Sequence, residues 1–473
     1  MKFKMINYLS DYGPTNFWQN IKKDKIEKDL EFIANNNINS IILMYPYATF
    51  KPKIETFETP YSELLHFIIK LANKLNIKVI LRFGFLWESN FMENRTYERY
   101  RKMYKSFKNK TKCEYLDDFV NFFNYTINEY NILHTFISWE DFFWPVHYEY
   151  TLEINFKIGE YNDEIELENK NFIEYILKKI GHTEKLFIEQ RTNGYFNKIN
   201  YTNNKISYGY YNTFSLDIPW FNQISEKRDN KKHCISKNMI VEKNFIEWYS
   251  RVVELLDINE KTDNKLIIDQ FNIIDNTWEE DDNHKLKEND MRKKCFADNN
   301  NFKSILNFIS VIAPKLLGGI GIWCMWDTII GQAYNGTFKH NECGWETNAH
   351  FNLQDKYFKF KKNNYIKTCF GYVREREDKK MNILIDIKTN QETELVVKYN
   401  NEKHNISVNK NEKLILPFSG NSDRNFELKL LSGEIEVHRI DIFGMKLKSF
   451  MYDENKIPKK NLNSTMKLIN SFD

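Results

Sequence analysis

The chain has 473 residues, 42% hydrophobic and 16% aromatic, and its 68 basic and 65 acidic residues leave a formal charge of only +3. That length suits one large domain with a smaller one, and the apolar content supports a sizeable core. The balanced charge argues against nucleic acid, whose binders carry a strong basic excess.

Six cysteines, at 113, 234, 295, 324, 343 and 369, form no CxxC pair, which speaks against a disulfide framework in so long a chain. The ten histidines show neither HxH nor HExxH spacing, so no metal and no other cofactor is expected. The N-terminus MKFKMINYLSDYG lacks the apolar stretch and cleavage site of a signal peptide, and no run approaches the roughly 18 apolar residues of a membrane span. The expectation is a cytoplasmic protein with no membrane partner. Asn runs such as residues 35–37 carry little weight, because Lys, Asn and Ile are abundant throughout.

In chain order, strand-like runs fall at 2–9, 40–47, 78–85, 135–142, 185–191, 205–211, 265–271 and 319–326. Amphipathic helical runs lie between most of them, at 26–36, 62–75, 116–130, 172–180, 245–256 and 302–317. Strands alternating with helices imply βαβ units and a parallel sheet, and eight of them predict a closed (β/α)8 TIM barrel over residues 1–362. The segment NLQDKYFKFKKNNYI, residues 352–366, is expected to supply the closing helix. From 366 to 448 short alternating segments separated by turn residues predict a small all-β sandwich, followed by a polar tail at 449–473.

Helix-to-strand connections are short, near Asn37, Asn76, His134, His182 and Leu317, whereas strand-to-helix connections at 86–113, 143–168, 212–242 and 272–301 are long. One-sided elaboration is expected when the face at the strands' C-terminal ends carries the function. No GxGxxG or GxxxxGK[ST] follows the first strand to support nucleotide binding.

The predicted strand ends bring together Asp11, Tyr45, Tyr47, Arg82, Trp87, Glu88, Trp139, Glu140, Asp141, Glu189, Gln190, Arg191, Tyr208, Tyr210, Tyr211, Asp269, Gln270, Asn272, Trp323, Trp326 and Asp327. Flat aromatic faces stack on sugar rings, and carboxylates and amides hydrogen-bond their hydroxyls. Cleaving a glycosidic bond takes two carboxyl groups, one to protonate the leaving oxygen and one to attack or to activate water. Glu140, set in the aromatic run FISWEDFFWP, fits the general acid best, since burial among aromatics favours the protonated form. The plainer reading of Glu140 is a structural salt bridge with Arg82 or Arg191. His134 falls on the stability face of the barrel, and His147 lies in the loop after the fourth strand. The basic stretch YERYRKMYK, residues 97–105, reads as a solvated helical face, or else as a grip for an acidic sugar or phosphate.

In architecture over the whole chain, and in motif over short stretches, the sequence resembles the clan A glycoside hydrolases, (β/α)8 barrels with an appended β-sandwich. The resemblance implies a carbohydrate substrate, retaining chemistry and no cofactor. It implies an acid/base Glu at the end of the fourth strand, where Ser138-Trp139-Glu140-Asp141 stands. It implies a Tyr on the sixth strand, offered by Ser207-Tyr208-Gly209-Tyr210-Tyr211, and an aromatic floor from the eighth, where Trp326 is similar.

Two departures leave alternatives open. Trp139 holds the place of the clan's Asn, so Asp141 is an alternative acid, with Glu140 in the Asn position. Gln270 falls at the nucleophile's place, and Gln cannot form a glycosyl ester. The second carboxylate is then Glu189 or Asp269, or the barrel binds a glycan without cleaving it, or it transfers the sugar to another acceptor. Successive strand residues face opposite ways, so Asp269 and Gln270 should not both line the barrel. The parallel between LFIEQ (186–190) and LIIDQ (266–270) makes Glu189 and Asp269 equivalent in pattern, with Glu189 ranked first.

Overall fold

The computed structural model describes residues 3–8, 17–54, 61–84, 95–137, 163–181, 186–189, 211–217, 266–272, 317–322, 335–370, 381–418 and 425–443. Its first part runs β1 (Phe3–Tyr8), α1 (Phe17–Asn20), α2 (Lys23–Asn35), β2 (Ser40–Met44), α3 (Tyr47–Phe50), α4 (Ser62–Lys74), β3 (Lys78–Arg82), α5 (Thr96–Asn109) and α6 (Glu114–Glu129). It continues with β4 (His134–Phe136), α7 (Asp163–Ile180), β5 (Leu186–Glu189), β6 (Tyr211–Asp217), β7 (Leu266–Asn272) and β8 (Leu317–Ile322). These eight strands pair in parallel in sequence order, and β8 returns to β1 through Phe3↔Gly319, closing the barrel. Followed pair by pair round the ring, the registers return to β1 eight residues further along, the stagger of a TIM barrel.

Local sequence explains the helix ends. α2 buries Ile26, Leu30 and Ile33, one stripe at helical spacing. It stops at Asn37, whose φ of 57° is left-handed, and Ile38 N–H then reaches back to the Ile33 carbonyl at 3.3 Å. The same stop recurs after α4, at Asn76 with Ile77 N–H on Ala72 O at 2.8 Å, and after α6, at Asn131 with Ile132 N–H on Ile127 O at 3.0 Å. Asn tolerates the left-handed region, and the backward bond satisfies a carbonyl orphaned at the helix end. The Asn residues that composition seemed to explain are therefore helix terminators.

Two apolar clusters separate the inside of the barrel from its outer shell. Phe3, Met5, Ile42, Ile80, Phe136 and Ile267 cluster within it. The alternate residues Ile6, Ile41, Leu43, Val79, Leu81 and Ile320 pack outward with helix residues such as Leu30, Leu65 and Phe119.

Several expectations are corrected. The described sixth strand is Tyr211–Asp217, which meets the expected 205–211 only at Tyr211; residues 205–210 lie outside the described residues. The long connection after β3 contains α5, whose Arg99, Tyr100, Met103 and Tyr104 are buried, so the basic stretch is only partly a solvated face. The closing helix over 352–366 is replaced by strands. In YFKFK the alternation buries Phe358 and Phe360 and exposes Lys359 and Lys361, a period that suits a strand and not a helix.

The antiparallel region comprises β9 (Glu346–Thr347), β10 (His350–Asn352), β11 (Tyr357–Lys361), β12 (Tyr365–Cys369), β13 (Met381–Lys388), β14 (Thr393–Tyr399), β15 (Glu402–Val408), β16 (Glu412–Phe418), β17 (Asn425–Ser432) and β18 (Glu434–Phe443). They form two sheets, ordered β10-β11-β18-β13-β16 and β15-β14-β17-β12-β9, over one shared core that includes Phe358, Ile385, Val397, Leu428 and Ile440. The barrel with its appended sandwich, expected from the family resemblance, is thus the fold of the chain. Arg95 links the two parts, its Nη2 donating to Phe370 O at 2.9 Å, and His340 lies edge-on to Tyr61 at 4.3 Å between centroids. Among the described residues no helix is long and apolar enough to cross a membrane.

Two outcomes follow from these contacts. A Cβ at Gly319 would lie 2.6 Å from Phe3 Cβ and 2.8 Å from the Phe3 carbonyl oxygen, so Gly319→Ala should destabilise the barrel by about 1–3 kcal/mol in chemical denaturation. Burial, reinforced by Lys339 and Lys356, pushes the His340 pKa down from 6.5 to about 4. The folded ring resists protonation that the unfolded chain accepts, so this contribution is intact above pH 6.5 and is lost as pH falls toward 4. The unfolding midpoint should decline across that window, and His340→Gln should flatten the decline.

Candidate active site

The registers define what faces the barrel interior. On β1, β3 and β7 the apolar cluster holds Met5, Ile80 and Ile267, and position 187 on β5 pairs with Phe136, which also belongs to that cluster. The next interior positions toward the C-terminal mouth are Asn7 on β1, Arg82 on β3 and Glu189 on β5. On β7 the matching position is Gln270. Ile268 pairs with Phe214 and Gln270 with Ser215, so Asp269 is one extra residue, and toward β8 the pair Asp269–Gln270 lies between the partners of Ile320 and Ile322. This β-bulge returns Gln270 to the parity of Ile267.

Alternate strands of a TIM barrel fill their interior in layers of four. Here an apolar layer is capped by a layer whose four positions, Asn7, Arg82, Glu189 and Gln270, are all polar. Asn7 and Arg82 are fully buried, and the Arg82 guanidinium lies 4.0 Å from the centroid of the Phe136 ring below it. A guanidinium stacked on an aromatic face keeps its in-plane N–H donors for polar partners.

Behind the mouth, a buried network fixes the segment that follows β2. Lys51 Nζ is 2.9 Å from Asp118 Oδ1, the Tyr47 hydroxyl donates to Asp118 Oδ2, and Arg99 Nη1 and Nη2 donate to the carbonyls of Lys51 at 2.6 Å and Pro52 at 3.0 Å. Burial, with the Asp118 charge opposing the nearby Arg99, raises the Tyr47 hydroxyl above its ordinary pKa and keeps it a donor.

The predicted site residues therefore fall into three groups. Arg82 ends β3 and is buried. Glu189, Asp269 and Gln270 lie on described strands, but β7 is bulged, which changes one expectation. Glu189 and Asp269 are not equivalent in register, because Glu189 occupies a layer position and Asp269 is the inserted residue. Trp87, Trp139, Glu140, Asp141, Tyr208, Tyr210, Trp326 and Asp327 lie outside the described residues.

Tyr45 and Tyr47 are not mouth residues. Met44 has the interior parity of Ile42, so Tyr45 turns outward and stacks on Phe122 of α6 at 5.5 Å, and Tyr47 sits against Phe119. His134 lies at the opposite end from the mouth, edge-on to Phe3 at 5.0 Å.

Two polar positions escaped the sequence reading. Asn7 ends the interior stripe Phe3, Met5, Asn7, and that lone polar residue was a usable signal. Asp217 ends β6 in register with Asn272, and it was hidden by the misplaced strand. Among the described residues no cluster of His, Cys, Asp and Glu could hold a metal ion.

No family model and no curated protein matches the chain. Among solved structures, a GH5_18 protein from Bifidobacterium longum subsp. longum is similar with a TM-score of 0.44 at 10% identity, covering 68% of this chain and 70% of that one. A GH5_18 variant from Streptomyces cattleya, in complex with Manb1-4GlcNAc, gives 0.44 at 11% identity over 68% and 71% of the two chains. A glycoside hydrolase family 5 mannosidase mutant from Rhizomucor miehei, in complex with mannosyl-fructose, gives 0.43 at 11% identity over 69% and 81%. All three likenesses are distant.

The stacking of Arg82 carries its own expectation. Phe136→Ala removes the ring beneath the guanidinium and opens the apolar layer, and it should cost about 3–5 kcal/mol in denaturant unfolding.

Proposed function

We propose that the barrel is a glycoside hydrolase acting on an oligo- or polysaccharide. The observation that carries this reading is the polar layer at the C-terminal mouth, where Asn7, Arg82, Glu189 and Gln270 replace the apolar filling of the layers beneath. Function sits at this face of TIM barrels, and buried polar groups are costly unless they serve each other or a ligand.

In this reading Glu140, four residues beyond the end of β4, is the general acid/base, and Glu189 or Asp269 is the second carboxylate. The acid delivers its proton to the glycosidic oxygen as the bond to the anomeric carbon breaks. The second carboxylate attacks that carbon or deprotonates a water that does. Arg82 and Gln270 supply hydrogen-bond donors, and Trp87, Trp139, Asp141, Tyr208, Tyr210, Trp326 and Asp327 would surround the sugar. No cofactor is required, and the partner is a carbohydrate.

A second reading rests on Gln270, which occupies the β7 layer position with a side chain that cannot form a glycosyl ester. In that reading the barrel binds a glycan without cleaving it, or passes the sugar to an acceptor other than water.

The test is to incubate the full chain and its Glu140→Gln variant with a glycan panel, mannosyl disaccharides included, and to read products by mass spectrometry. Cleavage by the parent and at least about a hundredfold less by the variant is the expected outcome. Binding without any product would transfer the assignment to the non-catalytic barrel.

A further inference from the structure

We propose that the sandwich is seated on the mouth-side rim of the barrel and braces it, with the first turn of α5 as the clamp. Arg95 is the side of that clamp that holds the sandwich. The seat itself is argued from contacts; only its effect on turnover rests on the hydrolase reading.

The level of the contacts comes first. In a βα barrel each helix runs back from the C-terminal end of its strand, so helix N-termini stand at the mouth. Tyr61 and Arg95 immediately precede α4 and α5, which follow β2 and β3. Two bonds hold α5 at that level. Thr96 Oγ1 accepts from the Ala48 N–H at 3.0 Å, just past the end of β2, and the Tyr100 hydroxyl donates to the Ile137 carbonyl at 2.9 Å, just past β4. The sandwich meets this rim through Arg95, whose Nη2 donates to Phe370 O at 2.9 Å and to Cys369 Sγ at 3.2 Å. It meets it again where His340 lies edge-on to Tyr61, and Cys343 packs against the outer-shell cluster of the barrel.

Each contact is made by chain that is anchored in the sandwich core close by. Phe338 and Trp345 belong to that core and stand two residues from His340 and Cys343. Phe370 carries both roles, its carbonyl on Arg95 and its ring 5.1 Å from Phe426. Among the described residues the two cores are separate clusters, so the seat depends on such local contacts more than on shared apolar area. On its other side the same helical turn grips the barrel. Arg99 donates to the Lys51 and Pro52 carbonyls, and Lys51 is held by Asp118. The first turn of α5 thus lies between the sandwich and the chain that follows β2. Arg95 is buried, and Phe370 comes just past the last pair of the β12–β17 ladder, Cys369↔Asn425. Removing the guanidinium takes a charged donor from a buried carbonyl, which costs more than losing an exposed contact.

The test uses thiols of the full chain as reporters. Cys369 is buried beside Arg95, and Cys343 meets the barrel at another point. N-ethylmaleimide labelling under native conditions, read by peptide mass spectrometry, should be at least about tenfold faster at both in Arg95→Met than in the parent. Amide hydrogen exchange in β2 and β3 should stay as in the parent. Acceleration at Cys369 alone would mean a local hole beside the missing side chain, and faster exchange in β2 and β3 would mean general loosening; either overturns the seat. If Arg95→Met does not fold, Arg95→Lys takes its place, because it keeps the charge without the planar fork. It should label faster than the parent at both thiols, and unaltered labelling overturns the seat.

Turnover separates bracing from mere attachment and makes Arg95 a positioning residue. On a glycan that the parent cleaves, Arg95→Met should raise KM at least about threefold and leave kcat within about twofold. Arg95→Lys should lie between the two. An unchanged KM with both thiols opened would overturn the brace. Should the parent cleave nothing, the hydrolase reading fails while the labelling still decides the seat.

Discussion

The contact on which the rest of the structure depends is the closure of β1 on β8. It is tight, because Phe3 stands where any side chain at position 319 would have to go. Eight strands that close with an eight-residue stagger must tilt, and tilt lays their interior residues into layers drawn from alternate strands. Residues far apart in sequence then meet at one level by geometry alone. Asn7, Arg82, Glu189 and Gln270 belong to four separate βα units and share a layer only because the ring closes with that offset.

The layer sequence also sets an energetic conflict. Beneath the mouth the interior is apolar, from Phe3 and Met5 to Ile80 and Phe136, and a guanidinium directly above it has left bulk water. Stacking on Phe136 recovers part of the loss and fixes the plane of the group. The remainder must come from hydrogen-bond partners in the layer or from a ligand. The same economy governs the segment after β2, where Lys51, Asp118, Tyr47 and Arg99 satisfy one another out of solvent. Polar groups are thus buried at two depths around the same strands, with Lys51, Asp118, Tyr47 and Arg99 holding the wall and Asn7 and Arg82 inside the barrel.

Much of this was legible in the sequence because it depends on period and on local backbone chemistry. The alternation of strands and helices, the helical stripe Ile26, Leu30, Ile33, and the two-residue period of the sandwich strands all carry through to the structure. The Asn-Ile stops at 37–38, 76–77 and 131–132 are equally legible, although the abundance of Asn in the chain hides the left-handed backbone that the run 35–37 leads into. What was not legible depends on phase. The expected strand 205–211 meets the described sixth strand, Tyr211–Asp217, only at Tyr211, and the register with β5 and β7 runs on to Asp217. Tyr45 and Tyr47 failed for the same reason, since they follow an interior Met44 and so turn toward the helices.

The β7 bulge is the clearest case of phase deciding chemistry. LFIEQ and LIIDQ are near copies, and by pattern Glu189 and Asp269 should be interchangeable. One unpaired residue breaks the equivalence, leaving Glu189 in the layer and passing the corresponding place on β7 to Gln270. A bulge costs ladder hydrogen bonds, and bulges concentrate beside active sites, where they re-aim a residue without disturbing the strand below. Here the strand below is held by Ile267 in the apolar layer, and regular pairing resumes at Gln270 opposite Ser215. The insertion therefore changes the phase of β7 above Ile268, and a further register shift against β8 lies between Leu266 and Ile267. Of the seven residues of β7, Asp269 is the one that the β6 register skips, and it shifts the phase so that Gln270 takes the parity set by Ile267.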